Sequence, residues 1–118
     1  MEIRACKHGY GLFAALPYRK GAKLFAMQDG VPLPNPTKYS VEVGPACHIV
    51  HPFGSFLNHE STDPTVYVVR STRFPEVRAL RDIAKGEELT FNYNKNETHV
   101  AFPFVTSSGK AVRGSAFF

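Results

Sequence analysis

The stretch "GSFLNHESTDPTV", residues 54–66, decides how the rest of this sequence is interpreted. It brings an amide, an imidazole, two acids and several hydroxyls together in one short segment, and an apolar run begins at Val66. So many polar residues, with Pro64 among them, predict an ordered turn that leads into a strand. The segment could cap its own backbone, or it could serve a metal site, acid–base catalysis or a hydrogen-bonded ligand.

The composition predicts one small domain. The chain has 118 residues, of which 43% are apolar and nine are proline, and this length supports one compact core. No apolar run approaches the roughly 20 residues that cross a bilayer, and residues 1–4 lack the apolar stretch of a signal peptide. We therefore expect a soluble, intracellular protein, cytoplasmic or nuclear, with a single domain over residues 1–118 and no membrane partner.

Charge and cysteine content disfavour several other classes of protein. Cys6 and Cys47 are the only cysteines in the sequence, which is too few for a disulfide framework and lacks the paired spacing of a zinc site. The formal net charge is +4, but the 14 Lys and Arg residues are scattered along the chain. Because they form no basic block, nucleic acid is not the expected partner.

The distribution of apolar residues predicts a mostly β protein. Few windows keep apolar residues at helical spacing beyond two turns, whereas seven short segments rich in β-branched or aromatic residues are expected to be strands. These are residues 3–6, 11–15, 23–27, 39–43, 65–71, 77–81 and 89–93. The segment 29–36 holds three prolines and is expected to be irregular. Residues 94–118 are expected to form an irregular tail that docks through its phenylalanines.

Three short motifs follow one another along the chain. "HGYGLFA", residues 8–14, surrounds Tyr10 with glycines, which allow close approach of backbone to a neighbour or ligand. "FLNHE", residues 56–60, comes next, and "RDIAKGEELTFNYN", residues 81–94, predicts a turn and a strand. Each motif alone is ordinary. With "YRKGAKL", residues 18–24, their order and spacing resemble the SET domain of protein lysine methyltransferases, over about residues 4–94 and more faintly through the tail.

The resemblance implies both a fold and an activity. The implied fold is a mostly β arrangement of several small twisted sheets with a knot-like C-terminal crossing, in which residues 94–118 are a short tail. The implied activity is the transfer of a methyl group from S-adenosyl-L-methionine to the side-chain amine of a lysine in a protein substrate. The alternative is a non-catalytic module that keeps the fold and binds a protein partner, and a homodimer that completes the core stays open.

The resemblance also implies which residues hold the methyl donor. Asn58 and His59 match the Asn-His pair of the family, and their polar groups can satisfy a ligand while being satisfied themselves. Gly9, Tyr10 and Gly11 would supply backbone contacts to the same ligand.

Aromatic residues are the implied catalytic groups. Tyr93 matches the family's catalytic tyrosine, which lies beside both the sulfonium and the amine. Tyr39 falls where the family often has a second channel tyrosine, but it is equally consistent with an ordinary strand residue. Phe104, with Phe102, could cover the adenine or close the channel, although plain packing is the commoner use of a tail aromatic.

The sequence also departs from the family pattern. The turn after His59 is one residue longer than usual, and Asp63 before Pro64 is expected to bond its own backbone. The tail lacks the cysteines with which some relatives bind zinc, so no metal is expected. "CHIVH", residues 47–51, with His59 and Asp63 nearby, would permit a ligand pair, but isolated histidines among apolar residues are more often structural.

Overall fold

The structure is a computed structural model that describes residues 1–6, 9–70, 74–98, 101, 103–106 and 109–115. These residues contain short strands, one turn of 3-10 helix at Gly54–Phe56 and one turn of α-helix, α1, at Tyr93–Asn96. The strands are β1 (Glu2–Cys6), β2 (Gly9–Phe13), β3 (Lys23–Ala26), β4 (Val31–Leu33), β5 (Ser40–Gly44), β6 (Cys47–Val50), β7 (Asn58–His59), β8 (Val66–Val69), β9 (Glu76–Ala79), β10 (Glu88–Phe91), β11 (Phe104–Val105) and β12 (Ala111–Val112).

The described strands form several small sheets, which confirms the predicted mostly β class. The largest sheet has the order β1-β2-β10-β7, two others have the orders β3-β9-β8 and β4-β6-β5, and β11 pairs with β12. The pairing of β10 with β7 is parallel and joins Thr90 to Asn58 and Phe91 to His59. This pairing brings the second motif of the sequence beside the third, although about thirty residues separate them.

The core lies where the inward faces of these sheets meet. Leu12 of β2 is paired with Leu89 of β10, and both side chains are fully buried. In β9 the buried Val77 and Ala79 alternate with less buried neighbours, as a sheet with one covered face requires. Each large apolar side chain buried in this way stabilises the fold by about 1.5–3 kcal/mol. The largest sheet is thereby fixed against the rest of the molecule.

The proline-rich segment differs from the prediction that it would be irregular. Val31–Leu33 forms β4, in which Pro32 is paired with Ile49 of β6. Proline cannot donate a hydrogen bond to a neighbouring strand, so it is tolerated only where one side of the strand has no partner. In the described part of the chain β4 is such an edge strand, because its sheet continues on the β6 side alone. The strand β6 itself was not predicted.

The end of the third motif also differs from the prediction. The sequence predicts a strand through Tyr93, but β10 ends at Phe91 and α1 begins at Tyr93. Asn92 ends the extended run because its side chain accepts a hydrogen bond from Asn94 N at 3.0 Å, as a helix N-cap does. The strand prediction for residues 92 and 93 is therefore wrong.

The tail is more ordered than predicted, and the Asn94 side chain bonds to several of its backbone atoms. β11 and β12 form an antiparallel pair, in place of the expected irregular tail. Asn94 Nδ2 donates to Ala111 O at 3.0 Å, and Asn94 Oδ1 accepts from the amides of Arg113 and Gly114 at 3.1 Å each. The knot-like crossing stays a prediction, because part of its path lies outside the described residues.

Among the described residues, the helices are all too short to span a membrane.

Candidate functional site

A cleft of about 1150 Å³ lies between the ends of the largest sheet, the segments 37–41 and 54–62, and the tail. The predicted site residues that line it are Gly9, Tyr10, Tyr39, Asn58, His59, Tyr93 and Phe104. Gly11 is buried behind the cleft wall and does not line it. The fold therefore brings residues from five separate parts of the sequence to one concave surface, which is the usual form of a binding site for a small ligand.

The side chain of Asn58 is held in a fixed orientation. Its Nδ2 donates to Glu88 Oε2 at 2.8 Å and to Tyr10 O at 3.1 Å. Both amide hydrogens therefore have acceptors. Among the described residues none donates to Asn58 Oδ1, so this oxygen remains available to a ligand that carries a hydrogen-bond donor.

Gly11 is required for this arrangement because a side chain there would collide with both partners. A Cβ at Gly11 would lie 2.6 Å from Glu88 Oε2 and 3.1 Å from Asn58 Nδ2. We expect Gly11→Ala to push the flexible Glu88 side chain away from Asn58 and to lower the free energy of unfolding by about 0.5–1.5 kcal/mol, the net worth of the hydrogen bond that is lost. Denaturant unfolding and the NMR shift of the Asn58 side-chain amide would measure the two effects.

Gly44→Ala is the matched control for this prediction. A Cβ at Gly44 would meet its nearest neighbour, Cys47 Cβ, at an ordinary 4.0 Å, and the backbone there is not left-handed. The control should leave both the stability and the Asn58 amide shift unchanged. Equal effects of the two substitutions would contradict the steric role of Gly11.

His59 is a neutral imidazole with one nitrogen left for a ligand. Its Nδ1 accepts a hydrogen bond from Tyr93 N at 3.0 Å, which places the ring proton on Nε2. Nε2 is buried and has no hydrogen-bond partner among the described residues. Burial lowers the pKa of His59, and the charge of Glu60 only partly opposes this. Because buried polar atoms are normally paired, this N–H is available to an acceptor on a bound ligand.

Tyr93 lies at the meeting point of the aromatic side chains of the cleft. Its hydroxyl donates to Leu57 O at 2.6 Å, and its ring lies 5.1 Å from the ring of His59 and 4.8 Å from that of Phe91. Burial raises the pKa of Tyr93 well above its ordinary value, and the charges of nearby acids raise it further. The phenol therefore stays protonated at neutral pH and presents a fixed oxygen beside the Leu57 carbonyl.

The outer aromatic residues are less enclosed than Tyr93. Phe104 of the tail packs edge-on against His59, with ring centroids 6.1 Å apart, yet it is 42% exposed. Tyr39 lies on the cleft wall just before β5 and is 55% exposed. Both positions are compatible with contact to a ligand, and their roles stay predictions. Phe102 lies outside the described residues.

Glu97 is a cleft residue that the sequence analysis missed. It follows Tyr93 by four residues, at the end of α1, and only 5% of it is exposed. Burial raises its pKa to about 7, and the nearby charge of Glu42 adds to this rise. The spacing to Tyr93 could have indicated the position, because residues four apart share a helix face, but the sequence predicted a strand there.

Glu42 lies behind Glu97 and has the opposite electrostatic character. Burial alone would raise its pKa, but hydrogen bonds from Thr98 and Arg70 outweigh burial, so the pKa of Glu42 is lowered. Thr98 donates to both carboxylate oxygens, and Arg70 forms an ion pair with Oε2 at 3.0 Å. Glu42 is therefore an ionised structural group beside the less ionised Glu97.

The turn after His59 is built differently from the prediction. Asp63 was expected to bond its own backbone, but its carboxylate pairs with Arg81 at 3.0 Å. The local bond to the turn backbone is made by Glu60 instead, whose Oε1 accepts from Thr62 N at 2.9 Å. Arg81 is fixed opposite Asp63 because it also pairs with Glu87 at 2.9 Å. Long-range pairing thus replaced the local bond that sequence spacing suggested.

His51, which directly follows β6, has a structural role. His51 Nδ1 accepts from the amides of Phe53 and Gly54, at 3.1 Å and 3.2 Å, and its ring stacks on Phe25. No three His, Cys, Asp or Glu side chains among the described residues form a group that could hold a metal ion. His51 therefore caps the backbone and packs against Phe25.

Comparison with known proteins places the chain in a family. The model of the SET domain matches residues 9–94, and no curated protein matches the chain. Among solved structures, a Plasmodium falciparum protein described as a "putative histone methyltransferase" is 18% identical, with a TM-score of 0.58 over 80% of this chain and 97% of that one. At this identity the likeness supports the fold alone. Because the family model covers most of the sequence, including the whole of β2 through β10, this protein belongs to the SET-domain family.

Proposed function

We propose that this protein binds S-adenosyl-L-methionine and transfers its methyl group to the side-chain amine of a lysine in another protein. Membership of the SET family supports a methyltransferase-type function. The observation that carries the proposal is the convergence of the Tyr93 hydroxyl, the Leu57 carbonyl and His59 Nε2 in one cleft, where Nε2 has no hydrogen-bond partner among the described residues. We also propose that residues 1–118 form a single SET domain with residues 94–118 as its tail.

The polar groups left available in the cleft suit the methyl donor. His59 Nε2–H can donate to an adenine nitrogen or a carboxylate, and Asn58 Oδ1 can accept from an amine. The exposed backbone at Gly9 and Tyr10 and the ring of Phe104 offer further contacts on the same wall. The bound donor would supply an electrophilic methyl group, and the protein residues would hold and orient the reactants.

Positioning and exclusion of water are the main tasks left to the protein in such a transfer. The lysine must attack as a neutral amine, although its ordinary pKa is roughly 10.4, and enclosure among aromatic side chains disfavours its charged form. The fixed hydroxyl of Tyr93 and the carbonyl of Leu57 would orient the amine for an in-line displacement.

The charge on the cleft wall supports a basic partner. Three acidic residues line the cleft: Glu60, Glu88 and Glu97. Among its described lining residues Lys38 is the one lysine or arginine. Glu42 and Glu87 lie outside the cleft lining, and they pair with Arg70 and Arg81. A chain with a net charge of +4 thus still presents an acidic surface at its candidate site, and such complementarity favours a protein segment that contains lysine.

Calorimetric titration with S-adenosyl-L-methionine tests the cofactor part of the proposal. We expect Asn58→Ala to weaken binding by about tenfold or more, since loss of a hydrogen bond in an enclosed site costs roughly 1–3 kcal/mol. Asn35→Ala is the matched control, because Asn35 lies in a separate pocket of about 420 Å³, and this variant should bind normally. An unaltered affinity of the Asn58 variant would remove this residue from the site.

Labelled methyl donor with purified core histones as the acceptor tests the transfer itself, since the structural neighbour is described as acting on histones. Incorporation of label into lysine would support the proposed activity. Donor binding without transfer to these or other lysine-rich proteins would favour the non-catalytic module. Absence of donor binding by the wild-type protein would contradict the proposal as a whole.

A further inference from the structure

Glu97 and Tyr93 present their side chains to the same cleft from one turn of helix. Glu97 N donates to Tyr93 O at 2.8 Å, which closes the turn and fixes their spacing. Both residues line the cleft, although only 5% of Glu97 is exposed. A carboxyl group is thus enclosed in the same cleft as the hydroxyl that the proposed function places at the reacting atoms, and its charge is close enough to raise the pKa of that hydroxyl.

The two carboxylate oxygens of Glu97 differ in their hydrogen bonds. Oε2 accepts from Glu42 N at 2.9 Å and from Asn96 Nδ2 at 2.6 Å. No donor among the described residues bonds to Oε1. The hydrogen bonds to Oε2 fix the orientation of the group, and Oε1 remains available to a donor that enters the cleft.

Glu97 also lacks a cation of its own in the described part of the chain. The nearby Arg70 guanidinium contacts the carboxylate of Glu42 at 3.0 Å and the carbonyl of Asn96 at 2.6 Å. A buried carboxylate without a paired cation is costly. An ammonium group entering the cleft would supply the missing partner.

We propose that Glu97 accepts the proton that the ammonium group of the target lysine must lose before methyl transfer. This inference rests on the proposed function and adds to it the group that prepares the nucleophile. An N–H bond of the ammonium breaks and an O–H bond forms on the Glu97 carboxylate. The neutral amine then forms a bond to the methyl carbon, and the carbon–sulfur electron pair returns to sulfur. The proton on Glu97 leaves to solvent when the products depart.

The surrounding charges suit this role. Burial raises the pKa of Glu97 to about 7, Glu42 behind it adds to the rise, and Arg70 and the hydrogen bonds to Oε2 oppose it. Tyr93, one helical turn before it, stays protonated. The other titratable groups on the described cleft wall are Cys6, Tyr10, Lys38, Tyr39, His59, Glu60 and Glu88. Near neutral pH, Glu97 is therefore ionised in a large fraction of molecules, and an acceptor whose pKa lies near the working pH is the most effective.

The pH dependence of single-turnover transfer to core histones tests the inference. At limiting histone concentration the wild-type rate reports the free protein, so it should rise up to about pH 7, as Glu97 loses its proton, and then level off. Glu97→Gln keeps the shape of the side chain and can accept the same two hydrogen bonds. Its rate should be lower by about 10²- to 10⁴-fold near pH 7 and should recover about tenfold for each rise of one pH unit, as the amine loses its proton unaided.

A merely structural role predicts a different profile. It would lower the rate of Glu97→Gln by the same factor at every pH, and such parallel profiles would overturn the inference. Asn96→Ala is a useful comparison, because it removes one hydrogen bond to Oε2 and leaves the carboxyl group in place. This variant should keep the levelling near neutral pH.

A second measurement needs no protein substrate. The NMR titration of the Glu97 carboxyl carbon, assigned by its absence in Glu97→Gln, is recorded with and without n-butylammonium as a mimic of the lysine side chain. The probe should lower the pKa of Glu97 by about 1–3, as a cation within a few ångströms does. An unchanged titration would overturn the inference, whereas failure of the wild-type protein to bind S-adenosyl-L-methionine would overturn the proposed function instead.

Discussion

Tyr93→Phe is expected to lower the rate of methyl transfer by about 10²- to 10³-fold, the usual effect of removing one fixed polar group from a reacting centre. The variant lacks the hydroxyl that donates to Leu57 O at 2.6 Å. The aromatic contacts with His59 and Phe91 do not depend on the hydroxyl and should persist. Transfer of label from S-adenosyl-L-methionine at saturating donor and acceptor measures the effect.

The variant should still fold, although the Leu57 carbonyl loses its partner and the free energy of unfolding falls by about 1–3 kcal/mol. Tyr67→Phe is the matched control, because Tyr67 is a half-exposed strand tyrosine that does not line the cleft. The control should keep full activity. Normal turnover by Tyr93→Phe would remove the hydroxyl from the mechanism and leave Tyr93 as a packing residue.

Gly114→Ala is expected to detach the tail and to lower the free energy of unfolding by about 2–6 kcal/mol, the sum of backbone strain and overpacking. Gly114 has a φ of +111°, and a Cβ there would collide with Thr98 O and lie 2.8 Å from Glu97 O. Both obstacles are backbone atoms, which cannot rotate away. Guanidinium unfolding measures the stability, and hydrogen exchange at the amides of Gly114 and Ser115 reports on the tail.

Gly109→Ala is the control that separates strain from collision. Gly109 has a φ of +85°, but a Cβ there would meet no atom of the described residues within 4 Å. This variant should lose only about 1–3 kcal/mol, the cost of backbone strain, and its tail should stay protected at Gly114. If the two variants were equally unstable, the close approach of the tail to Thr98 would not be what holds it in place.

Local pattern was sufficient for much of the fold. The content of β-branched and aromatic residues placed β1 to β3, β5 and β8 to β10 within about two residues, because such side chains fit the pleated, half-buried surface of a sheet. The prediction did not extend to β4 or to α1. The prolines of residues 29–36 predicted an irregular segment, but β4 tolerates Pro32 because it lies at the edge of its sheet. Alternation predicted a strand through Tyr93, but the Asn92 cap starts a helix there.

The sequence by itself also determined which family the chain belongs to and which residue types lie at the candidate site. The order and spacing of the motifs are properties of the sequence, so they can be recognised without a structure. The Asn-His pair, the tyrosine and the glycine pair were all named from the sequence, and all except Gly11 line the cleft.

Only the tertiary structure decided what those residues contact. The bonds from Asn58 to Glu88, from Tyr93 to Leu57 and from Asn94 to the tail join residues 17 to 36 positions apart, and the pKa of Glu97 depends on burial and on Glu42. Hydrogen bonds and electrostatic interactions act over a few ångströms in space, whatever the separation along the chain. The roles of Gly11, Asn94 and Glu97 could therefore not be read from sequence spacing.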